Sequence, residues 1–194
     1  MIMRGADIRT PVPTVYGDFA AKHAERWKSQ VESLQKKFGG SIEEVLWPGT
    51  HPTDVPIVFV AKETVVSVLA ELKDGPEFQY DFLADITATD EEIEPRFEVV
   101  YNLSSLSTGA RIRVKARVRE NEDIPSAISV WKGANWAERE IWDMFGVSFR
   151  GHPDLRRILM DERWQGHPLR KDYPLRGYQL FPDTQPIHVE LLKD

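Results

Sequence analysis

The sequence contains no cysteine. This absence excludes disulfide bonds, cysteine-ligated iron–sulfur clusters and thiol nucleophiles on this chain. Since disulfides are typical of oxidising compartments, we expect a reducing, cytoplasm-type compartment.

Long apolar runs and an excess of positive charge are also absent. No stretch of about 18 consecutive apolar residues occurs, so no direct membrane span is expected. The first residues, MIMRGADIRTP, include an aspartate and lack an apolar centre, so no secretory signal is expected. The formal net charge is −6, which argues against nucleic-acid binding because that function needs a basic surface.

The composition indicates a globular chain. Of its 194 residues, 41% are hydrophobic and 29% are charged, which suffices for one domain with a sizeable core and an appendage. We predict a flexible N-terminal lead at residues 1–16, an α+β domain at 17–146 and an extended, partner-binding tail at 147–194.

Hydrophobic periodicity predicts the elements of the domain. Three- and four-residue spacing indicates helices from Asp18 to Phe38 and from Lys62 to Leu72, and a third that begins near Pro125. Strands are predicted at residues 42–47, 57–60, 81–89, 96–103 and 110–118. This order predicts a two-layer α+β fold, with helices on a mixed five-stranded sheet.

The last predicted strand is apolar on one face and wholly basic on the other. The basic side chains are Arg111, Arg113, Lys115 and Arg117. A solvated antiparallel strand is the favoured interpretation, and a docking face for an acidic partner is the alternative.

The third helix carries two stripes. Its apolar face is expected on the core and consists of Val130, Ala134, Ala137, Ile141 and Met144. A second stripe of Trp131, Glu138, Trp142 and Phe145 mixes aromatics with a carboxylate and suits a contact surface. Arg139 and Asp143 are four residues apart and are predicted to pair. Gly146 is the predicted helix stop.

The composition changes after Gly146. Prolines interrupt the sequence at positions 153, 168, 174, 182 and 186, and residues 150–176 contain seven basic and four acidic side chains. Large apolar side chains persist, which a disordered tail would lack. We therefore predict that this tail lies extended on another protein, and packing onto its own domain is the competing interpretation.

No catalytic constellation emerges. His152 and His167 are each followed by proline and have no third ligand at a suitable spacing, so a turn or interface role is favoured over a zinc site. Asp81 with Asp85 is a candidate acid–base pair, whereas Glu138 and Glu140 lie on different helical faces. We predict no catalytic, cofactor-binding or metal-binding residues on this chain.

Three ordered blocks of sequence resemble one known family. They are FLADI at 82–86 with RFEVVY at 96–101, then ERE-WDMFG at 138–146 with GHPDLRRIL at 151–159, and GHPLRKDYPL at 166–175. The chain is similar over roughly residues 60–176 to the 30 kDa subunit family of respiratory complex I. The bacterial members of this family are the C subunits of NADH-quinone oxidoreductase.

The resemblance implies a structural subunit in the hydrophilic arm of a complex that passes electrons from NADH to quinone. The FMN and iron–sulfur clusters would lie in partner subunits, and this chain would dock on the quinone-site 49 kDa-type subunit, which is designated D in bacteria. It would be peripheral, on the cytoplasmic side of the bacterial inner membrane. The implied partner-interface residues are Glu138, Arg139, Asp143, His152, Arg156, Arg157, His167, Arg170 and Lys171.

Two alternatives remain open. The chain could be the equivalent part of a related membrane-bound hydrogenase or formate hydrogenlyase, although those modules are often fused to the large subunit and this chain ends at Asp194. It could also be a free-standing enzyme with a buried carboxylate, which would be a self-sufficient monomer with its own turnover.

Overall fold

The computed structural model describes residues 17–178. Three α-helices are present: α1 at Gly17–Phe38, α2 at Val65–Asp74 and α3 at Ala134–Phe145. Short 3₁₀ turns occupy Gly39–Ser41, Lys62–Thr64 and Ala127–Ser129. The strands are β1 at Ile42–Leu46, β2 at Ile57–Val60, β3 at Phe82–Asp90, β4 at Phe97–Ser104, β5 at Arg111–Val118, β6 at Asp123–Pro125 and β7 at Ser148–Arg150.

Strands β1 to β5 form one mixed sheet. Their order is β1-β2-β5-β4-β3, and β2 runs parallel to β5 while the other neighbours are antiparallel. Strands β6 and β7 form a separate parallel pair in which Ile124 is opposite Phe149. The predicted α+β class, with helices on a mixed five-stranded sheet, is confirmed.

The core lies between the helices and one face of this sheet. The predicted alternation of β5 is confirmed, because Ile112, Val114, Ala116 and Val118 are all buried. Helix α1 contributes Val31 and Leu34 to the same cluster. The buried Gln30 of α1 accepts a hydrogen bond from the Tyr80 hydroxyl at 2.8 Å, which fixes the helix against the loop before β3.

The basic face of β5 is neutralised by the chain's own acidic and polar groups. Lys115 Nζ lies 2.8 Å from a Glu98 carboxylate oxygen, and Arg117 donates to Glu44 at 2.6 Å. Arg113 donates to the Asn102 side chain at 2.8 Å. These pairs favour the solvated-strand interpretation over a docking face for an acidic partner.

The predicted start of the third helix near Pro125 is wrong. Residues 123–125 form β6 and pair with β7, and α3 begins only at Ala134. Proline lacks an N–H and restricts the preceding residue to extended conformations, which suits a short strand. The Ser126 side chain then accepts a hydrogen bond from the Ile128 N–H and caps the 3₁₀ turn.

The chain does not leave the domain at Gly146. Val147 and Phe149 are buried in the same hydrophobic cluster as the sheet and α3, and β7 is held by β6. The predicted boundary between residues 146 and 147 therefore divides a continuous core. The lead predicted at residues 1–16 and the last part of the tail, residues 179–194, lie outside the described residues.

Candidate functional site

The region of interest is the segment after α3, residues 147–178, here called the distal segment. It begins after Gly146, which has a φ of +78° and ends α3 in the left-handed conformation. A Cβ at this position would lie 2.5 Å from Arg170 Nη2 and 2.6 Å from the His167 ring. Glycine is therefore required both by the turn and by the close return of the distal segment over it.

Asp143 is the main anchor of the distal segment. Its side chain is 0% exposed. One carboxylate oxygen accepts a hydrogen bond from Arg157 Nη1 at 2.6 Å. The other accepts from the consecutive backbone N–H groups of Ile158, Leu159 and Met160, at 3.0, 2.8 and 2.9 Å. One helix side chain thus orders a chain turn that has no regular secondary structure.

The ionised form of Asp143 is favoured despite its burial. Burial alone raises the pKa of this carboxyl. The backbone N–H groups of Met160, Leu159 and Ile158 and the Arg157 guanidinium outweigh that effect, and the pKa lies below its ordinary value. The charge is therefore stabilised by donors that all come from the distal segment.

The predicted pairing of Arg139 with Asp143 is wrong. Arg139 instead donates to the carbonyl oxygens of Arg156 and Arg157, at 3.1 and 2.9 Å. Helical spacing brought the two side chains near each other, but the oxygens of Asp143 are already occupied by four donors from another part of the chain.

The two predicted turn histidines both bind backbone groups of α3. His152 Nδ1 accepts from the Asp154 N–H at 3.0 Å, so the proton lies on Nε2, which donates to the Asn135 carbonyl at 3.1 Å. His167 Nδ1 lies 3.0 Å from the Asp143 carbonyl, and burial lowers the pKa of its ring. Within residues 17–178, no group of three or more histidine, aspartate or glutamate side chains is placed to hold a metal ion.

A second anchor joins the distal segment to the sheet. Arg170 donates to the Phe145 carbonyl at 2.6 Å and to Glu120 at 2.9 Å. The Lys171 N–H donates to the buried Asp90 at 3.0 Å, and the Asp172 carboxylate lies 2.8 Å from Arg96.

Arg96 is the centre of this second anchor. It makes a two-point contact with Asp90, at 3.0 and 2.9 Å, and also donates to Glu120 at 2.9 Å. Asp90 and Glu120 lie outside the three sequence blocks, and no motif marks them as functional. The sequence signals that pointed to this cluster were Arg96, in the block RFEVVY, and Arg170 and Lys171, in the block GHPLRKDYPL.

Glu138 is a buried carboxyl under the β6–α3 connection. It accepts hydrogen bonds from the Ser126 hydroxyl and the Ala127 N–H, each at 2.6 Å, and is 0% exposed. Burial raises its pKa to about 7, against the two hydrogen bonds that lower it. Glu140, two residues along α3, is exposed, which agrees with the expectation that the two glutamates do not pair.

We expect Glu138→Gln to change how stability depends on pH. Because the folded pKa, about 7, exceeds the ordinary 4.5, the folded chain binds the proton more tightly than the unfolded chain. The free energy of unfolding of the wild type should therefore fall by about 3 kcal/mol relative to that of the glutamine variant as the pH rises from 4.5 to 7. Above pH 7 the difference between the two should stay constant. Urea unfolding at several pH values measures this difference.

The control for this experiment is Glu140→Gln, an exposed change on the same helix. It should stay within about 0.5 kcal/mol of the wild type at every pH. A Glu138→Gln variant whose stability difference from the wild type is constant between pH 4.5 and 7 would contradict the assigned titration.

The nine predicted partner-interface residues thus fall into two groups. Glu138 and Asp143 have no exposed surface, and five others, Arg139, His152, Arg157, His167 and Arg170, are partly buried and engaged with this chain. Arg156 and Lys171 are exposed. The structure gives Asp143 and the five partly buried residues a role in holding the distal segment, and places Glu138 under the β6–α3 connection. A direct role of any of the nine in partner binding stays a prediction.

Comparison with known proteins identifies the family. The model of the family described as "Respiratory-chain NADH dehydrogenase, 30 Kd subunit" matches residues 58–179. The chain belongs to this 30 kDa subunit family. The matched region runs from β2 to the end of the distal segment, so both anchors described above lie in the part of the chain that the family model covers.

Three relatives illustrate the similarity. The second C subunit of the NADH-quinone oxidoreductase of Rhizobium etli (strain CIAT 652) is 47% identical over 148 residues, which cover 75% of this chain and 76% of that protein. The corresponding C subunit of Geobacter sulfurreducens is 46% identical over 164 residues, which cover 83% of this chain and 95% of that protein. The mitochondrial 30.4 kDa subunit of NADH-ubiquinone oxidoreductase from Neurospora crassa is 39% identical over 175 residues, which cover 88% of this chain and 62% of that protein.

The fold of this family member is also found in a solved structure. A chain of the membrane-bound sulfane sulfur reductase, an archaeal respiratory membrane complex, superposes with a TM-score of 0.63 at 23% sequence identity. The match covers 77% of this chain and 86% of that one. No helix within residues 17–178 is long and apolar enough to cross a membrane.

Proposed function

We propose that this chain is a non-redox structural subunit of an NADH-quinone oxidoreductase and docks on the 49 kDa-type subunit through the distal segment. Electron transfer would use FMN and iron–sulfur clusters held by partner subunits. The assembled arm would lie on the cytoplasmic side of the bacterial inner membrane, with this chain as a peripheral member.

The observation that carries the proposal is the outer surface of the distal segment. Large apolar side chains remain exposed along it, although the backbone beneath them is anchored at two points. These are Leu159, Leu169, Leu175 and Tyr178. A fixed backbone that presents apolar groups outward loses little conformational entropy on binding, which favours an interface.

The charges of this surface support the same conclusion. Lys171 and Arg176 are exposed, and neither forms an ion pair with another residue among those described. Arg156 pairs only with its near neighbour Asp154, at 3.0 Å, in an exposed position where such a pair contributes little. These positive charges would favour a partner surface with acidic groups.

The names of the relatives support the identity of the complex. Four bacterial relatives at 46–47% identity are all named as C subunits of NADH-quinone oxidoreductase. The equivalent component of a related membrane complex is the second candidate, favoured by the fold shared with the archaeal sulfane sulfur reductase. The higher identity of the first group favours the oxidoreductase.

The test is a paired charge reversal in the native complex. Arg156→Glu together with Lys171→Glu should lower the amount of chain that co-purifies with the 49 kDa-type subunit from solubilised membranes by roughly tenfold or more, equivalent to about 1.4 kcal/mol. The thermal midpoint of the isolated variant should stay within a few degrees of the wild type, since both side chains are exposed.

The matched control is Lys36→Glu, an exposed reversal in the last turn of α1. It should leave co-purification unchanged. Full assembly of the double variant, or recovery of the wild-type chain as a monomer without the 49 kDa-type subunit, would contradict the proposal. Recovery of the chain with the partners of a hydrogenase or a sulfur reductase would favour the second candidate.

A further inference from the structure

A groove lies beside the start of α3. It runs between the first half of β3, residues 81–86, and the start of α3. The helix side is formed by Trp131, Lys132, Gly133 and Ala137. None of these helix-side residues belongs to the nine positions predicted from the sequence.

The strand side of the groove is the free edge of the sheet. β3 pairs only with β4, and no other backbone hydrogen bond among the described residues involves positions 83–89. At the near end, Trp131 Nε1 donates to the Asp81 carbonyl at 3.3 Å and closes the groove. Strand backbone that lacks a neighbour retains donors and acceptors for an added strand.

Two of the four residues on the helix side of the groove are small. Gly133 is the residue before α3, and Ala137 lies four residues further along and shares a face with it. A Cβ at Gly133 would meet no atom within 4 Å, and its φ of −63° is ordinary for any residue. The turn before α3 therefore does not require glycine at this position, and its small size leaves open space beside the strand.

Two aromatic side chains line the groove. Phe82, on the strand side, is 48% exposed, and Trp131 lies on the helix side. Tryptophan and phenylalanine at the surface are typical anchors of protein interfaces.

The charge on the strand side is negative. The Asp81 carboxylate accepts the Leu106 N–H at 3.0 Å. Asp85 is exposed, and among residues 17–178 no hydrogen bond or ion pair of its side chain is found. An occupant of the groove would therefore place a basic residue opposite Asp85.

We propose that this groove binds an extended segment of a neighbouring subunit, which adds a strand to the free edge of β3 and carries a basic residue opposite Asp85. A strand is favoured over a helix because the groove has an unpaired strand edge on one side and small residues on the other. Apolar side chains of the segment would contact Phe82 and Trp131. This inference rests on the proposed function, since it requires that the chain works within an assembly.

Hydrogen exchange tests the added strand directly. Within residues 83–89, the backbone amides that point away from β4 should exchange at least tenfold more slowly in the native complex than in the isolated full-length chain. The proposed function fails if the chain is absent from the complex. The present inference fails alone if the chain is present but these amides are no more protected than in isolation.

A groove-filling variant supplies the matched comparison. Gly133→Leu should abolish the added protection within residues 83–89, and should leave the thermal midpoint of the isolated chain within a few degrees of the wild type because position 133 is exposed and its Cβ meets no atom within 4 Å. Gly40→Leu is the control, since a Cβ there also meets no atom within 4 Å. Unchanged protection in Gly133→Leu would overturn the proposal.

A photo-crosslinking residue in place of Phe82 identifies the occupant. The expected product joins β3 to a segment of another subunit that contains a lysine or arginine among apolar residues. A crosslink to a second copy of this chain, to another part of the same chain, or to no protein at all would overturn the proposal.

Discussion

Replacing Asp143 by alanine is expected to destabilise the folded chain by about 3–5 kcal/mol, because it leaves the mostly buried Arg157 guanidinium without its carboxylate partner. Three consecutive backbone N–H groups, those of residues 158–160, would lose their acceptor at the same time. The free energy of unfolding of a whole domain is ordinarily only about 5–15 kcal/mol, so the expected change is large. Urea unfolding followed by tryptophan fluorescence measures it.

Two further variants isolate the cause. Asp143→Asn keeps the shape of the side chain but removes the charge. Its free energy of unfolding should therefore lie between those of the wild type and the alanine variant. Glu140→Ala, an exposed change on the same helix, should cost less than about 0.5 kcal/mol. Equal destabilisation by Glu140→Ala and Asp143→Ala would contradict the assignment of the loss to the anchor, because alanine is the best helix former and neither change weakens α3 through propensity.

The pH dependence of this anchor has the opposite sign to that of Glu138. The folded pKa of Asp143 lies below its ordinary 3.8, so its contribution is present above the unfolded pKa and is lost as the pH falls through the folded value. Glu138 loses its contribution as the pH rises from 4.5 to about 7. The Asp143 carboxyl therefore stabilises the fold at the higher end of the pH range, and the Glu138 carboxyl stabilises it at the lower end.

The sheet was predictable from sequence because its pattern is local. In β5, alternate residues point to opposite faces, so Ile112, Val114 and Ala116 could be assigned to the core without knowledge of their partners. The same holds for the end of α3, where Gly146 follows the last apolar position and provides the left-handed stop.

The distal segment was not predictable in the same way because its order comes from distant contacts. No periodicity in residues 151–172 indicates where the chain runs, and the groups that fix it, Asp143 and Arg96, lie on earlier elements. The competing interpretation of the sequence, packing onto the chain's own domain, describes the path of these residues. A partner would then contact the outward-facing side of the distal segment, while its inner side packs on the domain.

The Arg139–Asp143 prediction failed for a related reason. An exposed pair at this helical spacing stabilises by only about 0.2–0.5 kcal/mol. The contacts of Asp143 with Arg157 and three backbone N–H groups are more numerous and buried. A weak local preference therefore gave way to stronger long-range hydrogen bonds, which sequence spacing cannot reveal.

The same geometry separates Arg156 from Arg157, which the sequence presents as equivalent. Arg157 lies against Asp143 and over the Trp142 ring at 5.6 Å, so reversing its charge would disturb the fold itself. Arg156 is exposed and contributes its carbonyl, not its side chain, to the contact with Arg139. Of the two arginines, only Arg156 can therefore have its charge reversed as a test of partner binding without a large effect on stability.

Two C-terminal truncations should give opposite results. Deleting residues 149–194 removes the buried Phe149, the strand β7 and every donor to the Asp143 carboxylate. The sequence alone suggested that such a chain would fold. The structure predicts that it loses its cooperative unfolding transition, because loss of a buried phenylalanine alone costs about 3–5 kcal/mol.

Deleting only residues 175–194 should instead leave a folded chain that does not assemble. This variant keeps Arg157, Arg170 and the contact of Asp172 with Arg96, but loses the exposed Leu175 and Tyr178. Thermal unfolding and co-purification with the 49 kDa-type subunit measure the two effects separately. A shorter chain that assembles normally would place the partner contacts before residue 175, whereas one that unfolds would show that the anchors require the residues after them.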